Sequence, residues 1–337
     1  MHLLLTAAGF EDALLDEIDR AQAGPARVLA PTVISLEPRV RPELTDFCFA
    51  RHVLFDASPI RGASVQALAD AAVFPWVPIL DAAEEPWELQ AFIPDEAEEA
   101  AGLSRRVELV AERIEEALKK RRKRVLKRQE VGARKLAQVL LLGREEGYSA
   151  LADRISLPGG ATWPSAHPGG RAPVEDDWDA PSSAFRKLRE ALAWHPSKMR
   201  SGQRVVDLGA APGGWTHVAL GTGAEVLAID KAEMDPRLAS HPLLRHVKKD
   251  AFNFEPEDPP VDWLLSDVIA EPEKTLALLL GWAEKNWMKH FIVHLKFKGA
   301  DRYALVEEAL KKLRKAGYKN VRAKKLYFDK NEVTLLG

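Results

Sequence analysis

The sequence predicts an α/β protein in which two small α+β modules precede a larger domain built on a mostly parallel sheet. Three observations lead there. A chain of 337 residues is too long for one small core and suits two domains or more. The stretch Ser156 to Ser182 is dense in Pro and Gly, which argues against regular structure and marks a linker. After that stretch, apolar runs rich in Val, Ile and Leu recur with helical stretches between most of them. Such alternation implies parallel strands covered on both faces.

The elements follow in chain order. His2 to Ala7 reads as a strand and Gly9 to Arg20 as a short helix. Thr32 to Leu36 and Phe47 to Phe55 read as strands. Val107 to Arg128 reads as one long helix, acidic in its first half and basic in its second, an order that suits the helix dipole. Leu136 to Leu142 is a further strand, and the two small modules divide near Ala57 to Ser64. Beyond the linker, strands are expected at Arg204 to Gly209, Glu225 to Asp230, Trp263 to Asp267 and His290 to Phe297, with a last one at Val333 to Leu336. In an open parallel sheet the ligand binds at the carboxyl ends of the strands. The residues that end these strands are therefore the candidates for function.

Composition narrows the classes. No run of 18 apolar residues exists, so no membrane-spanning helix is expected. The start, MHLLLTAAGFEDALLDE, lacks a basic region and turns acidic at once, which argues against a signal peptide. The single cysteine, Cys48, fits a reducing cytoplasm. Neither a C-x-x-C pair nor H-E-x-x-H occurs, so no metal is expected. The net charge of −2 gives no global attraction for nucleic acid, but its distribution is uneven. Eight of the ten residues from Lys119 to Arg128 are basic, and Lys285 to Lys330 holds fourteen basic and four acidic residues. The run Lys119, Lys120, Arg121, Arg122, Lys123 and Arg124 is a candidate phosphate-binding surface. Its bland alternative is a solvated face balanced by the acidic half of the same helix.

The first strand after the linker ends in Val206-Asp207-Leu208-Gly209-Ala210-Ala211-Pro212-Gly213-Gly214-Trp215. Small residues let a cofactor approach the backbone, but the spacing is not that of a dinucleotide pyrophosphate loop. Asp230, about twenty residues on, ends the next strand and suits the two hydroxyls of an unphosphorylated ribose. Asp250 follows the run LRHVKKD and suits an adenine amino group. One such Asp alone is more often a turn residue; three acidic strand ends, Asp267 included, together with the glycine loop favour a cofactor site.

DLGAAPGGW, with Ser266-Asp267 ending a later strand, resembles the ribose 2′-O-methyltransferases of the FtsJ-like type. Two further blocks are similar to the ribosomal RNA large subunit methyltransferase M family. They are Asp179-Ala-Pro-Ser-Ser-Ala-Phe-Arg-Lys187-Leu and Lys325-Leu-Tyr-Phe-Asp-Lys-Asn-Glu332-Val-Thr. The resemblance implies a Rossmann-like methyltransferase domain over residues 183–337. It implies a linker over 156–182, a ferredoxin-like module over 1–60 and a THUMP-like RNA-binding domain over 61–155. It implies S-adenosylmethionine as cofactor, held by Gly209, Ala211, Pro212, Gly213, Gly214 and Trp215 with Asp230, Asp250 and Asp267. A family contact near Ala184 through a hydroxyl side chain is absent here, which leaves the backbone. The resemblance further implies a catalytic tetrad, Lys187, Asp267, Lys296 and Glu332.

A ribose hydroxyl is a very weak acid, so methyl transfer to it needs a base, a stabiliser of negative charge and alignment. Lys296, at the end of an apolar run and near a cationic sulfonium, is the expected base through its neutral amine. Asp267 orients it, Lys187 stabilises the developing alkoxide, and Glu332 holds the lysines or the ribose. Taken singly, Lys296 and Lys298 read as solvated strand-end residues, and Lys187 as helix surface. The implied partner is RNA, namely a cytidine of large-subunit ribosomal RNA before ribosome assembly is complete. The expected protein is a cytoplasmic monomer. Another RNA such as transfer RNA, or a non-catalytic RNA-binding role, are the alternatives. A nicotinamide dehydrogenase fits Asp230 but not the glycine loop.

Overall fold

A computed structural model describes residues 1–38, 47–95, 102–156, 162–297 and 303–337, apart from the side chains of Arg121 and Tyr303. Lys298, part of the linker and the Arg121 side chain, all singled out above, lie outside the described residues. The chain divides into two compact units. One comprises Met1–Leu157 with Thr162–Ala172, and the other contains Pro173–Gly337.

The first unit opens with β1 (His2–Leu5), α1 (Glu11–Arg20), β2 (Ala26–Ala30), β3 (Val33–Leu36) and β4 (His52–Leu54). These strands form an antiparallel sheet in the order β2-β3-β1-β4. The strand expected from Phe47 is confined to His52–Leu54. The reason is Glu17, a buried carboxylate of α1 that accepts from the amides of Cys48 at 2.6 Å and Phe49 at 3.1 Å. Backbone donors satisfied by a side chain do not need a ladder.

A second sheet follows, with order β5-β8-β7-β6. Its elements are β5 (Ser58–Arg61), α2 (Val65–Val73), α3 (Trp76–Ala82), β6 (Trp87–Phe92), α4 (Leu103–Arg121), α5 (Lys123–Leu126), β7 (Lys135–Leu141) and β8 (Glu146–Asp153). Leu68 of α2 and Val110, Ile114 and Leu118 of α4 bury one face against Trp87 and Val139. The single helix expected over Val107 to Arg128 is broken at Arg122, whose φ of −144° and ψ of 56° interrupt it between α4 and α5. The break turns Val125 inward, where its carbonyl accepts from Trp87 Nε1 at 2.8 Å. Within the expected linker, β10 (Thr162–Trp163) pairs with β9 (Ile155–Ser156), and Arg171 bonds Asp95 at 2.6 Å.

The second unit contains α6 (Phe185–Trp194), β11 (Arg204–Leu208), α7 (Gly214–Gly221), β12 (Glu225–Ile229), α8 (Pro236–Ala239), β13 (Leu244–Val247), β14 (Val261–Ser266), α9 (Pro272–Glu284), β15 (Met288–Lys296), α10 (Tyr303–Lys315), β16 (Arg322–Lys324) and β17 (Glu332–Leu336). The sheet order is β13-β12-β11-β14-β15-β17-β16. The first five neighbours run parallel, and β17 runs antiparallel to both β15 and β16. β11 leads to β12 and β13 on one side, and the chain then returns to place β14 on the other side of β11. That reversal opens a crevice at the carboxyl ends of β11 and β14, the place where such sheets bind ligands.

Candidate active site

A cavity of about 420 Å³ occupies that crevice. Its volume lies in the range of small-molecule sites. Gly209, Ala211, Pro212, Gly214 and Trp215 from the loop after β11 line it, as do Asp230 and Asp250 after β12 and β13. Asp267 and Ile269 after β14, Lys296 at the end of β15, and Ser182 and Ala184 before α6 complete the wall.

The loop is shaped by local needs. Gly209 has φ +77°, and a Cβ there would sit 2.6 Å from Val268 Cγ1, so only glycine lets the loops after β11 and β14 meet. Asp230 fixes the loop by accepting from the amide of Ala211 at 3.0 Å, and its other oxygen accepts from Ala232 at 2.8 Å. Gly213 departs from expectation. It does not line the cavity but starts α7 with φ +116°, and its open side faces Leu238 and Met234. Trp215 lines the cavity while nearly buried, and its Nε1 donates to the Ala184 carbonyl at 3.1 Å. The Ala184 backbone therefore holds the tryptophan ring. Asp250 accepts from Lys231 at 2.7 Å and from the Phe252 amide at 2.9 Å.

The four residues of the expected tetrad come together as a chain of alternating charge. Lys296 Nζ lies 2.8 Å from Asp267 Oδ1. Lys187 Nζ donates to Glu332 Oε1 at 2.8 Å and lies 3.8 Å from Asp267 Oδ2. Three elements set this arrangement. The antiparallel β15–β17 pair places Lys296 directly opposite Glu332. α6 buries Phe185, Leu188, Ala191 and Trp194, and so presents Lys187 from its first turn. Glu190 of α6, also buried, accepts from the amides of Tyr327 at 2.8 Å and Phe328 at 2.9 Å, which holds the segment leading to Glu332. Lys187 is thus not helix surface, and Glu332 begins a buried strand.

Burial pushes the Lys187 amine down, but Asp267 and Glu332 outweigh it and leave it above the ordinary lysine value. Burial pushes Asp267 up, yet the hydrogen bond from His294 and the charges of Lys296 and Lys187 hold its carboxyl well below the usual range. Burial likewise opposes, and Lys187 reverses, the shift of Glu332, which lies below its ordinary value. Lys296 is ion-paired to Asp267, the residue expected to orient it.

Three residues not singled out in the sequence belong to the site. His294 is fully buried beneath Asp267, with Nδ1 at 3.0 Å from Asp267 Oδ1 and its ring edge-on to Trp215 at 4.8 Å. Its other nitrogen lies 3.5 Å from Asp329 Oδ1. Asp329 is in turn fixed by the Leu326 amide at 3.1 Å and Thr334 Oγ1 at 2.8 Å. Asp207 also lines the cavity and accepts from Thr216 Oγ1 at 2.7 Å. Burial, with the nearby charges of Asp267 and Asp230, raises Asp207 to about 7 against the opposing hydrogen bond from Thr216.

Asp207 gives a pH prediction with a definite sign. Its folded value exceeds its unfolded one, so folding favours the protonated form. Stability falls as pH rises from about 4 to about 7 and is flat above that, by at most about 4 kcal/mol. Asp207→Asn keeps an acceptor for Thr216 and removes this slope. Denaturation across that range should find the variant gaining on the wild type as pH rises; parallel curves would contradict the assignment.

Residues 181–328 match the family model of the FtsJ-like methyltransferases. Over 165 residues the chain is 35% identical to the ribosomal RNA large subunit methyltransferase M of Xylella fastidiosa. Over 169 residues it is 36% identical to the protein of that name from Shewanella putrefaciens. Each match covers 47% of this chain and 47% of the relative, so the chain spans about half the length of the curated relatives it matches. Among solved structures, the fibrillarin pre-rRNA processing protein of Methanococcus jannaschii is 16% identical with a TM-score of 0.35, covering 60% of this chain and 81% of that one. Residues 181–328, which contain most of the sheet, the cavity and three of the four tetrad residues, are thus similar to the FtsJ-like methyltransferases.

Proposed function

We propose that this protein methylates the 2′-hydroxyl of an RNA ribose with S-adenosylmethionine as donor. The target we favour is a cytidine of large-subunit ribosomal RNA before ribosome assembly is complete. One observation carries the reading: Lys296 and Asp267 open into the same cavity as the glycine loop and Asp230. The carboxylates of Asp230, Asp250 and Asp267 at this wall suit a cationic cofactor with an unphosphorylated ribose. When bound, the cofactor supplies an electrophilic methyl group on a sulfonium. Asp230 and Asp250 hold its nucleoside end, and Trp215 walls the pocket. Lys296, after losing its own proton to solvent, takes the proton of the ribose hydroxyl as a neutral amine; Asp267 fixes the direction of Lys296, and Lys187, held by Glu332, stabilises the oxygen as it gains charge.

Asp230 links the loop to the cofactor, so its removal is informative. Charge-assisted hydrogen bonds contribute about 1.5 to 3 kcal/mol, and Asp230→Ala should weaken S-adenosylmethionine roughly ten- to hundredfold by calorimetry. An unchanged dissociation constant in a folded variant would refute the placement.

For the first unit, the change of sheet between β4 and β5 supports two modules, read as a ferredoxin-like module followed by a THUMP-like RNA-binding domain, with the boundary between Leu54 and Ser58 rather than after residue 60. The acidic half of α4 neutralises its own arginines, as Arg105 pairs with Glu108 at 2.8 Å and Arg113 pairs with Glu116 at 2.5 Å. It is therefore not the counter-charge of the basic run that follows, which supports RNA phosphate as its partner. The test of the whole reading is methyl transfer from labelled cofactor to ribosomal and transfer RNA, with nucleoside analysis of the product. We expect 2′-O-methylcytidine from large-subunit RNA; label confined to transfer RNA would replace the substrate but keep the chemistry.

A further inference from the structure

The first unit carries an apolar cavity that the reaction does not use. It measures about 770 Å³ and lies where the end of α2 and the start of α3 face the last turn of α4. Val73, Val77, Pro78 and Leu118 form an aliphatic wall, and Asp70 and Arg122 place an acceptor and a donor in it. At its edge stands Phe74, 83% exposed, with Ile79 nearby in sequence and 51% exposed. The sequence Phe74-Pro75-Trp76 explains the display. Trp76 turns into the core, while Phe74 ends the helix in αR conformation and leaves its ring in solvent. A phenylalanine so exposed gives up the burial that normally stabilises such a side chain, which marks it for contact.

Charge singles out the occupant. Lys119, Lys120, Lys123 and Arg124 are exposed where α4 gives way to α5, and among the described residues none of their side chains forms a hydrogen bond or ion pair. Arg122 is instead anchored to Asp81 at 2.9 Å. A ligand that is flat and apolar on one part and anionic on another satisfies both features. We propose that this cavity takes an unpaired base of single-stranded RNA, stacked on Phe74, with the adjoining phosphates on Lys119, Lys120, Lys123 and Arg124. A base within a duplex cannot enter the pocket, so the surface selects unpaired segments. The inference rests on the RNA reading above and adds what kind of RNA this unit grips.

The test uses the full chain with a fluorescein-labelled unstructured oligoribonucleotide and a perfect duplex of the same length. Stacking of one base supports a loss of roughly tenfold in single-strand affinity for Phe74→Ala, with no change for the duplex. The salt dependence should keep its slope, because no phosphate contact is lost, and Phe74→Trp should bind as well as wild type. Replacing Lys119, Lys120, Lys123 and Arg124 by Ala should weaken both RNAs and flatten the slope. If that variant binds RNA normally, the RNA reading of this unit fails. If it weakens binding while Phe74→Ala does not, the pocket proposal alone fails. Equal loss for single strand and duplex overturns it too. Anionic phosphatidylserine vesicles that bind wild type and not Phe74→Ala would assign the patch to a lipid surface instead.

Discussion

Lys296→Ala should slow single-turnover methyl transfer by about 10² to 10⁴ while S-adenosylmethionine binds almost normally. Lys296 is the tetrad amine that opens into the cavity, at the carboxyl end of β15. Its removal leaves Asp267 with its bond from His294 and its neighbour Lys187, so the fold survives. The proposed cofactor contacts are Asp230, Asp250 and the loop after β11, which the substitution leaves in place. Lys296→Arg keeps a cation beside Asp267 but holds its proton throughout the neutral range, so it should not restore the rate. An arginine variant at full speed would mean that charge alone is needed there, and the base would have to be sought elsewhere.

Asp267→Ala should cost the most stability of any single change at the site, about 3–5 kcal/mol by chemical denaturation near neutral pH. The carboxylate is half-buried and faces Lys296 at 2.8 Å, Lys187 at 3.8 Å and His294 at 3.0 Å. Without it, cations are left in a poorly hydrated crevice with only Glu332 to compensate Lys187. Asp267→Asn keeps an acceptor and should recover part of the loss. The pH dependence follows from the depressed folded value of Asp267. Its contribution is fully present above the unfolded carboxylate range and is lost as pH falls through the folded value. The gap between wild type and alanine variant should therefore stay constant above about pH 5 and close only in strong acid. A gap that closed near neutrality would contradict the ion-pair geometry.

The parts of this molecule that local sequence determines were legible in it. The strands β11, β12, β14 and β15 are continuous apolar runs, as strands buried on both faces must be, and their acidic ends mark the crevice. The tetrad was legible through motifs, because Lys187 and Glu332, 145 positions apart, share no local pattern. What escaped depends on distant partners. Glu17 ends the expected strand at Phe47 by capping amides 31 and 32 residues away. The helix break at Arg122 follows from Trp87, which claims the Val125 carbonyl. His294 sits inside Phe291-Ile-Val-His-Leu295 and looks like a core residue; only the β14–β15 pairing brings it under Asp267. Asp207 reads as the start of a glycine loop, and its weakened acidity comes from burial that only the fold creates.

The crevice is proposed to deliver a methyl group to a ribose hydroxyl rather than to a base. The most direct measurement compares two RNA substrates that differ at one atom, with 2′-hydroxyl or 2′-hydrogen at the target nucleotide, under single-turnover conditions with saturating cofactor. Equal RNA affinity is expected for the two, with methyl transfer to the ribose substrate only. Transfer that persists on the deoxy substrate would place the acceptor on the base and contradict the account.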